Sequence, residues 1–344
     1  MKAKYFLLLI LPFFFSCSDD AEYKDVPIDF KVPGNFPPLA YDLANYPITE
    51  KGFELGKKLF YDGRLSSDGT ISCGFCHEQQ SAFTHHGHTV SQGVNGSSGT
   101  RNSPSIQNLA FQITFMFDGA TDHLHLQPII PITNPVEMNG SFSQIVAMMN
   151  ADAEYKRLFA LAFPNQPINT ENMLKAMGQF LAMVTSSNSR FDKFRRNEPG
   201  GILSEEELQG YAIFNQKCAS CHATDLFTDN SFRNNGLAVN PAVNDIGRYR
   251  VTLLEADKYK FKVPSLRNIE KTKPYMHDGR FFTLEAVLDH YASGIVDSPT
   301  LDQSLKNNGT LGIPLNGDEK TKIIAFLKTL TDNDYLTDKR FSEN

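Results

Sequence analysis

Cys73-Gly74-Phe75-Cys76-His77 and Cys218-Ala219-Ser220-Cys221-His222 are two copies of one pattern, Cys-x-x-Cys-His. In c-type haem attachment the two thiols of such a run add across the vinyl groups of a haem as thioethers. The adjacent His becomes the proximal iron ligand. Two other readings exist for paired cysteines, one zinc ion held by four thiolates and a redox disulfide. Zinc has no use for a His directly after each second Cys, and thioredoxin-like motifs do not come in distant pairs. The doubled pattern therefore reads as two covalent haem c groups, one on Cys73, Cys76 and His77 and one on Cys218, Cys221 and His222.

The chain has five cysteines, and the fifth is Cys17. It follows Lys2 and Lys4, an apolar run from Tyr5 to Phe15, and Ser16. That is a signal peptide over residues 1–16, too short to span a bilayer. A small residue followed by Cys at its end reads as a lipoprotein signal, with Cys17 lipidated and the protein anchored to a membrane; an ordinary secretory signal is the alternative. Every Cys is then used and no disulfide is expected. Residues 17–45, with prolines at 27, 33, 37 and 38, read as a tether. The expected location is the periplasm, or a membrane of a Gram-negative bacterium through the lipid anchor. Of 33 basic and 39 acidic residues the leader holds only the two lysines, so the rest is mildly acidic. This argues against nucleic acid and suits a basic electron-donor protein.

Beyond the haem motifs the two halves share a plan. Pro104-Ser105-Ile106-Gln107-Asn108 follows the first, and Pro264-Ser265-Leu266-Arg267-Asn268 the second. Asp118-Gly119 comes fourteen residues after the first Pro and Asp278-Gly279 fourteen after the second. Equal spacing of paired motifs implies duplication of one haem-binding unit. The Pro/Gly break at Glu198-Pro199-Gly200-Gly201 places the boundary, giving domains 46–197 and 198–344. The fold class is mostly α: two tandem haem domains of cytochrome-c type, with loops wrapped around a large apolar cofactor.

Helical periodicity supports this. Leu55, Leu59 and Phe60 form a stripe before the first haem. Ser204 and Glu207 form a capping box for a helix that carries Leu208, Tyr211, Ala212 and Phe214 inward, and Ser141 with Gln144 suggests another box. Residues 170–184 are amphipathic, with Met173, Leu174, Met177, Phe180 and Leu181 inward; Asp318 is expected to cap a last helix; Thr283 to Tyr291 reads as helix. No run shows β alternation.

With these motifs the chain resembles the bacterial di-haem cytochrome c peroxidase and MauG family over most of residues 49–331. The resemblance rests on Leu59-Phe60-Tyr61-Asp62, Gly99-Thr100-Arg101-Asn102-Ser103-Pro104, Asn134-Pro135-Val136-Glu137-Met138, and Phe261 to Asn268 running on to Pro274-Tyr275-Met276-His277-Asp278-Gly279. It implies reduction of H2O2 at the haem on His77, with electrons entering from a small cytochrome c or cupredoxin through the haem on His222. It makes Glu137 the distal proton carrier, where a residue-level reading alone also allows a helix-start Glu. It implies a Ca2+ site from Asn102 and the carbonyls of Thr272 and Pro274, places His277 against a haem, and suggests a homodimer.

Three departures from the family pattern bear on the chemistry. Many family members carry a removable distal His before Arg-Asn; Val94 occupies that slot, so the first haem is expected to be five-coordinate at rest unless His85, His86 or His88 substitutes. The distal Met of the second haem is replaced by Tyr291, as in MauG, with Met276 or His290 as alternative ligands. His290 and Tyr291 point about 100° apart on a helix, so one at most can face the iron. The chain has no Trp, and Phe117 stands where the family places a Trp between the haems. Phe still fills the gap but shares an oxidising equivalent less readily than indole. The functional expectation is a haem peroxidase, with a MauG-like oxidase of a partner protein or a non-catalytic electron carrier as alternatives.

Overall fold

The computed structural model describes residues 25–307 and 309–343. The leader and Cys17 lie outside the described residues. The N-terminal half holds α1 (Glu50–Tyr61), α2 (Cys73–Cys76), α3 (Ile129–Thr133), α4 (Phe142–Ala151), α5 (Ala153–Ala162) and α6 (Thr170–Met183). The rest holds α7 (Arg190–Arg195), α8 (Glu205–Lys217), α9 (Tyr249–Thr252), α10 (Leu284–Ser293), α11 (Gly317–Lys328) and α12 (Asn333–Leu336). The strands among the described residues are four of two residues each, of which β1 (Phe232–Arg233) pairs antiparallel with β2 (Phe261–Lys262). The molecule is the mostly helical, loop-rich structure that the periodicity implies. Among the described residues no helix is long and apolar enough to cross a membrane.

Each half is built on the same crossing of two helices. In the first, α1 packs on α6; in the second, α8 packs on α11. A glycine makes each approach close enough. A Cβ on Gly56 would lie 2.0 Å from the carbonyl oxygen of Ala176, and one on Gly210 would lie 1.9 Å from that of Lys322. One turn later an aromatic follows each glycine. Phe60 meets Phe180 and Phe83 at ring-centroid distances of 4.9 and 6.0 Å, while Phe214 meets Phe326 and Phe227 at 5.1 and 5.7 Å. The shared Pro-Ser-x-x-Asn run repeats its bonds as well. Ser105 donates to the Ala82 carbonyl and Ser265 to that of Leu226, both at 2.6 Å, and Asn108 and Asn268 both turn left-handed, with φ of 58° and 56°. The duplication legible in the sequence is thus a duplication of packing.

Some local expectations need correction. Ser141 does precede α4, but its hydroxyl pairs with Ser143 instead of capping. Asn316, three residues before Glu319, caps α11 in a full capping box, and Asp318 sits inside the first turn. Ser204 and Glu207 do form their box. On α8, however, Leu208 and Ala212 face solvent, because Gly210 and Phe214 occupy the line of contact with α11. The cores also do not divide at 197/198. Phe191 of α7 is fully buried 5.4 Å from Phe227 and 5.3 Å from Phe326. In the other direction, Tyr335 and Phe341 of the C-terminal tail join the cluster of Ile48, Phe60, Phe83 and Phe180. Contact with the other half's apolar surface, not the Pro/Gly break, decides where each core ends.

Candidate active site

Both haem motifs begin as short helical turns. Ser72 caps α2 by accepting from the Phe75 N–H, and the His77 N–H closes the turn on the Cys73 carbonyl. The His222 N–H makes the same bond to Cys218. Each imidazole is then fixed by a backbone carbonyl: His77 Nδ1 lies 2.8 Å from Phe83 O, and His222 Nδ1 lies 3.0 Å from Phe227 O. A carbonyl can only accept, so Nδ1 donates in both and the Nε2 lone pair is left for a metal. Burial lowers the pKa of both rings, partly offset by the carbonyls of Phe83 and Pro104 at one and Phe227 and Pro264 at the other. Both are neutral imidazoles, as ligation requires.

No disulfide joins the four motif cysteines to one another, which leaves their sulfurs available for thioether bonds. Burial pushes Cys73 and Cys218 up to about 12 and Cys76 to about 11. Among the described residues no three His, Cys, Asp or Glu side chains come together as a metal-binding group, so the two Cys pairs do not share one zinc site. Instead both motifs line one cavity of about 640 Å³ whose wall is built from both halves. Its walls are largely apolar, from Met177, Leu181 and Ile106 on one side to Leu284, Leu288 and Leu327 on the other. Neutral imidazoles, protonated thiols and an apolar cavity of cofactor size fit two haems.

Facing the cavity in the first half is Glu137. Its Oε1 accepts from the Ser91 hydroxyl at 3.0 Å. Burial raises its pKa, and the bonds from Ser91 and Asn134 only partly counter this. The Ser91 loop is stitched to the Glu137 segment, with the Val94 N–H on the Glu137 carbonyl at 2.8 Å. Gly93 permits the approach, since a Cβ there would lie 2.2 Å from the Val136 carbonyl oxygen. Val94 itself turns into the core beside Leu55 and Met138 and does not line the cavity. Neither do His85, His86 and His88; His85 is buried and stacks on His88 at 4.2 Å. Gln127 and Pro131, which sequence reasoning passed over, line the cavity with Glu137. They sit on and beside α3, a helix too short to show periodicity.

In the second half Tyr291, on α10, lines the cavity, and so does Met276. His290 does not. Its Nε2 is 3.1 Å from the Asn235 carbonyl and its ring packs on Phe281. Burial pushes the Tyr291 phenol up to about 12 against a hydrogen bond from the Asn235 side chain, and that same amide donates to Met276 Sδ at 3.5 Å. Asn235 was not legible beforehand; it lies in a polar loop with no motif.

Between the halves stand Phe117 and His277, one residue before each Asp-Gly. The His277 ring stacks on Phe261 at 3.8 Å and 12°. Arg101 ties the region together, donating to Asp118 and Asp245 at 2.6 Å each. The Asn102 N–H donates to the His277 carbonyl at 2.7 Å and its side-chain amide to that of Thr89 at 3.0 Å; Asn102, Thr272 and Pro274 all line the cavity.

A helical chain whose two haem-attachment motifs open on one cavity, with a half-buried carboxyl from one half and a phenol from the other in its wall, is a two-centre c-type haem protein. Residues 50–200 match a family described as di-haem cytochrome c peroxidase. The methylamine utilization protein MauG of Methylorubrum extorquens is 37% identical over 289 residues, covering 83% of this chain and 79% of that protein. The cytochrome c551 peroxidase of Nitrosomonas europaea is 34% identical over 286 residues, 81% of this chain and 79% of its own. A solved MauG-like protein associated with microbial copper homeostasis superposes with a TM-score of 0.82 at 36% identity, covering 92% of this chain and 99% of its own. The di-haem peroxidase BthA of Burkholderia thailandensis, at 21% identity and a TM-score of 0.73 over 92% of this chain and 96% of its own, shares the fold. The chain belongs to the di-haem cytochrome c peroxidase and MauG family, and is a haem-containing oxidoreductase of peroxidase type.

Proposed function

We propose that this protein reduces hydrogen peroxide to two waters at the haem on His77, using two protons and two electrons. A small cytochrome c or cupredoxin would deliver the electrons one at a time through the haem on His222. The observation that carries this reading is Glu137, a half-buried carboxyl in the cavity wall of the first haem site. The haem, when bound, supplies the iron that receives peroxide and exchanges electrons with it. Cleaving the O–O bond heterolytically requires a proton to pass from the inner to the outer peroxide oxygen. Glu137 takes that proton and returns it to the oxygen that leaves as water. The Ser91 hydroxyl holds Oε1 of that carboxylate in place.

Glu137→Gln should keep both haem spectra and lower peroxide turnover roughly 10²-fold or more, because an amide cannot carry the proton. Glu137 must be ionised to act, and burial raises its pKa. Wild-type turnover should therefore fall as pH drops through that raised value, and the Gln variant should lack this limb. Equal turnover of the two proteins at saturating peroxide, with a reduced cytochrome c as donor, would sink the assignment.

A second reading, oxidation of a partner protein, is favoured by Tyr291, and MauG proteins are among the relatives. Phe117 in place of Trp disfavours it. If Tyr291 were to hold the second iron and no loop His were to cap the first, the ferric protein should give one high-spin and one low-spin EPR signal before any reduction. Tyr291→Phe should abolish the low-spin signal. Its persistence would make Met276 the ligand, since His290 is held by Asn235.

Asn102, whose amide nitrogen donates to the Thr89 carbonyl, would keep its side-chain oxygen for Ca2+, with the carbonyls of Thr272 and Pro274 as the further ligands the resemblance implies. Phe117 and His277 would lie between the two haems. The haem units would run from about residue 46 to 189 and from 190 onward, with the C-terminal tail packed back on the first. Export, a lipid anchor at Cys17 and a homodimer complete the reading.

A further inference from the structure

The cavity wall carries five Lys or Arg side chains among the described residues: Arg101, Lys217, Arg233, Arg250 and Lys262. Four of them have carboxylates of the chain. Arg101 pairs with Asp118 and Asp245, Lys217 with Glu319, Arg233 with Asp229 and Asp302, and Arg250 with Asp245. Lys262 has none. Its ammonium donates to the Thr114 carbonyl at 2.6 Å and to the Gln112 side-chain oxygen, both neutral acceptors from the other half. An ammonium has three N–H donors, so one remains. Burial alone moves its pKa, down to about 7, and no charged neighbour among the described residues counters it. A cation enclosed in this way is costly unless an anion joins it.

Lys262 is also central. Its own N–H donates to the Phe117 carbonyl at 2.7 Å, tying the ring between the halves to β2. Two residues on, Pro264 lies beside His222. Two haem c groups bring their own carboxylates, the propionates, into this cavity.

We propose that Lys262 is the propionate-binding cation at the junction of the two haem sites, and that its charge holds up the reduction potential of the haem whose propionate it binds. A fixed positive charge disfavours the more positive, ferric state of a nearby iron, and in a water-poor cavity the effect is weakly screened. This rests on the presence of two haems and not on peroxide being the substrate, so it stands or falls apart from the peroxidase assignment.

The test is spectroelectrochemical titration of holoprotein carrying two haems per chain. Lys262→Gln keeps a donor for the Thr114 carbonyl and removes the charge; Lys262→Met removes both; Lys262→Arg keeps the charge. In the Gln and Met variants the reduced-to-oxidised ratio of one haem, at fixed ambient potential, should fall at least tenfold, a drop of about 59 mV for a one-electron couple. The Arg variant should stay within about twofold of wild type, a margin well inside that tenfold effect. Unchanged potentials for both haems in the Gln variant would overturn the proposal. So would an Arg variant shifted as far as Gln, since position and not charge would then be responsible.

Discussion

The two halves agree on the side of each haem site where the motif His stands and disagree on the opposite side. Gly56, Phe60, Phe83 and Phe180 are matched in place and contact by Gly210, Phe214, Phe227 and Phe326, and both His Nδ1 atoms rest on a Phe carbonyl. Across the cavity, the first half presents Glu137 with Gln127, and the second presents Tyr291 with Met276 and Asn235. Holding a haem needs one fixed solution, a neutral imidazole backed by a packed aromatic cluster. The rest of the lining is where the copies have diverged: it offers a carboxyl in one and a phenol in the other, the groups to which the proposed function gives proton transfer and iron ligation.

If the attachment sides are equivalent, removing either ligand should have the same large effect. His77→Ala and His222→Ala should each lose or derange one haem, measured by pyridine haemochrome and by intact mass after acid denaturation. Wild type should retain two covalent haems through that treatment.

A smaller effect should separate the halves. Arg267 and Asp192 form an ion pair, both side chains being 0% exposed, whereas the matching position in the first half is Gln107, which donates to the Arg267 carbonyl at 2.7 Å and accepts from Asn268. Asp192→Ala strands a buried guanidinium and should cost about 3–5 kcal/mol in denaturant unfolding. Gln107→Ala breaks neutral bonds and should cost about 1–3 kcal/mol. Desolvation opposes ionisation of Asp192, but the Arg267 charge together with the hydrogen bonds from Arg267, Ser189 and Asn35 outweighs it, and its folded pKa is depressed. The contribution of the pair is therefore complete above the unfolded carboxyl pKa of about 4 and is lost as pH falls through the lower folded value. The Asp192→Ala deficit should shrink in acid accordingly, and a pH-independent deficit would point to packing instead.

The smallest test returns to what the halves share. Gly56→Ala and Gly210→Ala each drive a Cβ into the carbonyl of the crossing helix. Each should cost about 1–3 kcal/mol, and similar amounts. Very different costs would show that only one crossing is rigid.

The sequence by itself was enough for the haem sites, because Cys-x-x-Cys-His is contiguous: one helical turn brings both thiols and the imidazole together whatever the rest of the chain does. It was also enough for the duplication, through equal Pro-to-Asp-Gly spacings, for α1 and α6, whose periodicity is local, and for the start of α8, through its capping box. Glu137 was legible only through the resemblance of Asn134 to Met138 to a family motif. Other features depended on contacts between residues far apart in the chain. The turn of Val94 into the core, the capture of His290 by Asn235, the burial of Phe191 with the C-terminal aromatics and, among the described residues, the absence of a carboxylate beside Lys262 carry no local signal. Each is settled by which surface of the other segment is left to be buried or paired, and only the tertiary structure specifies that.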